Sequence, residues 1–178
     1  RRGRRPAGEG REEARRGAPI QEAEAVTMDL PITALIPAHY IQDVELRLAS
    51  YRAISSIEDE RGLREMRTEL EDRFGEMPDE VEHLLALIQL RIRSERLGIT
   101  SIVEREREIV IRPIDTGQMN TRKLIGRFGH ALKITPNSMR LRLVELQEGW
   151  SAALDVILDE VELAEERRRE TEEALAVV

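Results

Sequence analysis

The sequence predicts an α+β (α/β) fold, a single compact domain with several helices packed on a small mixed or antiparallel sheet, preceded by a disordered linker. Three observations predict it. Apolar side chains recur at helical spacing through residues 43–97, the period shortens to two after Gly98, and the first two dozen residues carry almost no large apolar side chain. At 178 residues, 40% of them hydrophobic, the chain is long enough to close one core.

Residues 1–24, rich in Arg, Gly and Glu, bury too little surface to offset the entropy of ordering and read as a flexible linker. A chain that starts at Arg1 rather than Met reads as a piece of something longer. The domain proper is expected over residues 25–164. Val26 to Leu30 reads as a short strand, and Pro31 and Pro37 confine the segment between them to an extended or turning path. Leu30, Ile32, Leu35, Ile36 and Tyr40 are candidate core anchors.

The first helix is predicted over 43–55, with Asp43 as N-cap and Val44, Leu48, Tyr51 and Ile54 on its apolar face. A second, over 58–73, carries Leu63, Met66, Leu70 and Phe74 in one stripe and ends at Gly75, since glycine tolerates a left-handed exit. A third starts at Pro78, whose fixed φ suits a helix start, and runs through Val81, Leu84, Leu85, Ile88 and Ile92 to Leu97. Strands over 101–104 and 108–112 flank the charged tip Arg105-Glu106-Arg107. A short helix over 121–127, a turn at Pro136-Asn137 and a strand over 139–144 follow, the strand read from alternating Met139, Leu141 and Leu143. The last helix, over 147–166, is expected to dissolve into a charged, frayed tail over 165–178.

Composition removes several function classes. No cysteine means no disulfide framework, thiolate zinc site or Cys nucleophile, and it agrees with a reducing, cytoplasmic compartment. No apolar run approaches the roughly 18 residues that span a bilayer, so no membrane association is expected. There is no phosphate-cradling Gly-rich loop, no HExxH and no nucleophile elbow. His39, His83 and His130 stand apart without metal-ligand spacing and read as ordinary surface or partly buried side chains. No catalytic residue, cofactor or metal is assigned.

Charge is unevenly placed. The formal net charge is −7, yet residues 1–20 carry +4, leaving −11 for the rest, which should repel a phosphate backbone. Within the second helix Glu65, Glu69, Asp72 and Glu76 fall at i, i+4, i+7 and i+11, one acidic stripe if the helix extends that far. The apolar stripe fixes which way these carboxylates face. Glu69 and Asp72, one turn apart, suit planar guanidinium groups, although a plain solvated face has the same pattern.

The segments Leu30-Pro-Ile-Thr-Ala-Leu-Ile-Pro, Glu45-Leu-Arg-Leu-Ala-Ser-Tyr-Arg and Glu69-Leu-Glu-Asp-Arg-Phe-Gly-Glu-Met-Pro together resemble the C-terminal module of the bacterial transcription-repair coupling factors. The likeness is dense from Asp29 to Ile102 and weaker to Val161; Ala38, His39 and Gln42 depart from the family pattern. The resemblance implies a parent that is an ATP-dependent double-stranded DNA translocase, displacing stalled RNA polymerase and recruiting nucleotide excision repair. It implies for this module a non-catalytic, autoinhibitory role, masking the UvrA-binding surface of the parent's N-terminal module. In the family an acidic pair makes that contact, and the matching positions are Glu69 and Asp72, with Glu65 and Glu76 as flanking contacts. ATP belongs to the parent motor, and the isolated chain is expected to be monomeric. The alternative is a nucleic-acid-binding accessory module acting through the Arg-rich tail and the strand face of Arg140 and Arg142. An enzyme is the third reading.

Overall fold

The structure, a computed structural model, describes residues 26–147 and 149–176, so the linker expected over 1–24 lies outside the described residues. Five α-helices pack with a small mixed sheet, as the sequence predicts, and the sheet has five strands. The helical half comes first: α1 (Val44–Ser55), α2 (Glu60–Phe74) and α3 (Asp79–Arg96) follow the short strand β1 (Thr27–Asp29). The remainder is β2 (Ser101–Arg105), β3 (Glu108–Arg112), α4 (Thr121–Phe128), β4 (Leu132–Thr135), β5 (Ser138–Arg142) and α5 (Trp150–Ala176).

Helix starts follow local chemistry. Asp43, Asp59 and Asn120 each cap a helix, accepting from the amides of Leu46 at 2.8 Å, Gly62 at 2.7 Å and Lys123 at 3.0 Å. Pro78 precedes α3, whose first turn holds Asp79, Glu80 and Glu82 against the positive end of the helix dipole.

The strand order is β1-β2-β3-β5-β4, with β1 parallel to β2 and every other pair antiparallel. β2 and β3 are joined through Glu106 (φ 54°) and Arg107 (φ 64°), two non-glycine residues in left-handed conformation that give the turn the twist a tight hairpin needs. Strand β4 does not appear in the sequence-based reading. Its Leu-Lys-Ile-Thr alternation is only four residues long, and its pairing with β5 across the Pro136-Asn137 turn establishes it.

Buried apolar residues form two clusters. One fills the space between one sheet face and helices α4 and α5, around Ile102, Ile109, Ile111, Leu141, Leu154 and Ile157. The other lies among the first three helices, around Ile41, Ile54, Leu70, Val81 and Leu85. Helix α3 serves both: Ile92 belongs to the helical cluster, while Leu90 and Leu97 pack against the sheet cluster.

Three expectations are corrected here. Helix α1 does not bury Val44 or Leu48, which are 56% and 44% exposed; its inward face runs through Leu46, Ser50 and Ile54. Small Ser50 allows close approach, and its hydroxyl is satisfied by the Leu46 carbonyl at 2.9 Å. Leu35 is likewise exposed, whereas its neighbour Ile36 is buried. Helix α5 continues beyond Glu166 to Ala176, through most of the residues expected as a charged tail. Arg168 bridges Glu165 at 2.6 Å and Glu172 at 3.8 Å along this extension, pairs that favour continued helix.

Candidate functional site

Helix α2 presents its charged face on a well-anchored rod. Leu63 and Leu70 are buried beneath it, with Met66 and Phe74 partly buried alongside. Arg67 donates to Glu82 of α3 at 2.6 Å, tying the two helices laterally. At the C-terminal end Tyr40 packs edge-on against Phe74, ring centroids 5.7 Å apart, and its hydroxyl donates to the carbonyls of Leu70 (3.0 Å) and Gly75 (3.2 Å). Burial, and then the carboxylates of Glu71 and Glu82, push the Tyr40 phenol above its ordinary pKa, so it stays a donor.

Along the outward face Glu65, Glu69 and Asp72 are all exposed and line one shallow depression with Arg64, Thr68 and Arg73. Their states differ. Glu65 accepts from Arg61 at 2.8 Å and Glu69 from Arg73, each an i,i+4 pair within the helix. The Asp72 carboxylate has no hydrogen-bond or ion-pair partner among the described residues. Glu76 leaves the stripe: Gly75 takes φ 83°, ending the helix at Phe74, and Glu76 lines a neighbouring hollow with His39, Tyr40 and Pro78. The stripe is therefore three carboxylates long, with arginines at its flanks.

The other sequence candidates separate. Arg140 reaches Glu108 at 3.9 Å, and Arg142 is held between Glu108 (3.2 Å) and Glu145 (3.0 Å), so neither is a bare cation. His83 Nδ1 lies 3.0 Å from the Thr33 carbonyl, and His39 and His130 are exposed. Among the described residues no His, Cys, Asp and Glu cluster is placed to hold a metal ion, and no helix is long and apolar enough to cross a membrane.

The sequence gives no hint of Glu160, which lies on α5 at only 2% exposure. Its Oε1 accepts from the Asn120 amide at 2.9 Å and from Arg167 at 3.1 Å, while Lys123 stands 3.5 Å from Oε2. Burial pushes this carboxyl up, but the Asn120 amide, Arg167 and Lys123 together hold it below the usual carboxylate range. It fastens the start of α4 onto α5 and is structural.

With this geometry in place, the family model described as the TRCF domain matches residues 30–124. The chain belongs to the TRCF domain family. As a TRCF domain it is 31% identical over 136 residues to the transcription-repair-coupling factor of Staphylococcus haemolyticus, covering 72% of this chain and 12% of that protein. It is 35% identical over 117 residues to the factor of Escherichia coli, covering 66% of this chain and 10% of that protein. The chain thus spans about a tenth of the length of the curated relatives it matches. A crystal structure of the C-terminal domain of transcription-repair coupling factor shares the fold of this TRCF domain. Its TM-score is 0.62 at 19% identity, over 80% of this chain and 95% of that one.

Proposed function

We propose that this TRCF domain is the non-catalytic, autoinhibitory C-terminal module of a cytoplasmic, ATP-dependent DNA translocase that displaces stalled RNA polymerase and recruits nucleotide excision repair. In this reading the α2 face docks on arginines of the parent's N-terminal module and masks its UvrA-binding surface until polymerase engagement favours the open arrangement. The single observation that carries the docking site is Asp72: an exposed carboxylate on a capped, anchored helix, with no cation of its own among the described residues. Such a group offers a guanidinium a full partner, and Glu69 one turn away offers a second through exchange with Arg73. A coupling of about 1–3 kcal/mol between the docking contact and UvrA access corresponds to a 5- to 150-fold change in binding.

The test uses the full-length parent. Glu69→Arg with Asp72→Arg should raise capture of the parent by immobilised UvrA without lowering the melting temperature of the module. Unchanged capture, with the module shown folded, would falsify the assignment of these residues.

A further inference from the structure

The sheet face turned away from α4 and α5 keeps the side chains of Arg105, Arg140 and Arg142 45–70% exposed, although Val103 on it is only 8% exposed. Strand register places five cations on it, Arg105, Arg112, Lys133, Arg140 and Arg142, against only Asp29 and Glu108. In a chain carrying −11 outside its first 20 residues, this is a local inversion of sign. Lys133 stands directly opposite Arg140, a like-charge cross-strand pair that works against the sheet, and Arg112 is one diagonal step from Arg140. Arg105 has Asp29 at 3.4 Å, and Glu108 is shared by Arg140 and Arg142. The side chains of Arg112 and Lys133 have no hydrogen-bond or ion-pair partner among the described residues.

The centre of this face is apolar. Val103 pairs with Val110 in the floor of an open hollow of about 630 Å³, lined by Arg105, Arg112 and Arg140 and also by Glu106 and Glu108. We propose that this face docks an acidic polypeptide segment that places carboxylates on Arg112, Lys133 and Arg140 and an apolar side chain against Val110, the more exposed of the two valines. The face already recognises carboxylates, since its paired arginines hold Asp29, Glu108 and Glu145. Nucleic acid fits less well. No aromatic ring lies on the face for a base to stack on, and a phosphate backbone offers nothing to the valines. A dense polyanion would also meet the repulsion of the acidic remainder of the chain, whereas a short segment carries few charges into that field. This inference does not depend on the role proposed for α2.

The experiment is an NMR titration of the ¹⁵N-labelled chain at low salt with the peptide GEVEGEVEG, its uncharged counterpart GQVQGQVQG, and a short DNA duplex. The acidic peptide should shift amides of β2, β3, β4 and β5, and added salt should weaken it. Arg112→Gln with Lys133→Gln should weaken binding at least fivefold without lowering the melting temperature. Lys133→Gln alone, which relieves the like-charge pair, provides a milder variant with a smaller loss in the same direction. The proposal is overturned by absence of shifts on this face at millimolar acidic peptide, by equal binding of the two peptides, by indifference to both variants, or by tighter binding of the duplex.

Discussion

Arg73 donates to Glu69 from one turn further along α2, so a cationic partner approaching this face competes with an arginine that the helix itself supplies. Removing that competitor should strengthen docking. Arg73→Gln leaves Glu69 available beside Asp72, and an exposed i,i+4 pair is worth about 0.3–0.5 kcal/mol, about a twofold gain in affinity for the N-terminal module. Loss of the guanidinium over the Phe74 ring, 5.1 Å from its centroid, should cost the fold little at this exposed site. Direct titration of the N-terminal module with this variant reads the effect, and weaker docking would sink the competition argument. Glu160 answers to pH instead. Its folded-state pKa lies below the ordinary value of 4.5, so its stabilisation is present above that value and is lost as pH falls through the folded pKa. Glu160→Gln should destabilise by about 1–3 kcal/mol at neutral pH, and the deficit should shrink in acid. Urea unfolding at both pH values measures it; a deficit independent of pH would mean the carboxylate charge is irrelevant there.

Helix α2 ends where Gly75 adopts φ 83° and ψ −159°, a conformation that side-chain-bearing residues avoid. A Cβ added there meets no heavy atom within 4 Å, so the cost of substitution is conformational rather than steric. Gly75→Ala should therefore destabilise by about 1–3 kcal/mol and loosen the turn carrying Asp72. Faster hydrogen exchange at the C-terminal amides of α2 is the expected sign, and wild-type exchange and stability would contradict it. This stop is legible from sequence because Gly75 follows a stripe of period 3.6, and so are Asp43 as a cap and the 101–112 hairpin. The inward face of α1 is not legible: Val44 and Leu48 have the right spacing, but which side meets other helices is decided by tertiary packing on Ser50 and Ile54. Likewise the spacing of Glu65, Glu69 and Asp72 predicts their common face, while their different pairing states depend on where Arg61 and Arg73 extend. Glu160 is hidden for another reason. A glutamate inside a charged helix looks solvated until residues 40 positions away in the chain fold over it.

Two apolar clusters in one chain need a joint, and α3 with α5 supplies it. Arg93 of α3, its side chain only 13% exposed, reaches Asp155 at 3.2 Å, Asp159 at 2.7 Å and Glu162 at 3.1 Å, all on α5. Arg96 extends the joint, binding Glu162 at 2.7 Å and approaching Glu60 of α2 at 3.8 Å. Replacing Arg93 by Ala leaves three carboxylates facing one another without their shared cation. Asp155 and Asp159 are about two-thirds exposed and can rehydrate, so the cost belongs at about 2 kcal/mol rather than at the full penalty of a stranded buried ion. The sign of its pH dependence follows from Glu162. Burial raises that carboxyl, but Arg93 and Arg96 outweigh it and hold the pKa below 4.5, so the stabilisation exists above that value and fades as pH falls. Asp155 moves the other way, raised by burial and by Asp159 against the pull of Arg93, and would rise further in the variant. Arg93→Ala should consequently cost most at neutral pH and least in acid. Hydrogen exchange should show the amides of α1 to α3 opening at lower free energy while those of β2, β3 and β5 keep their protection, because α4 and α5 supply the buried helical side chains over the sheet and α3 adds only the partly buried Leu90 and Leu97. Equal loss of protection in both halves would instead make the molecule one cooperative unit, in which the α2 face could not yield independently of the sheet.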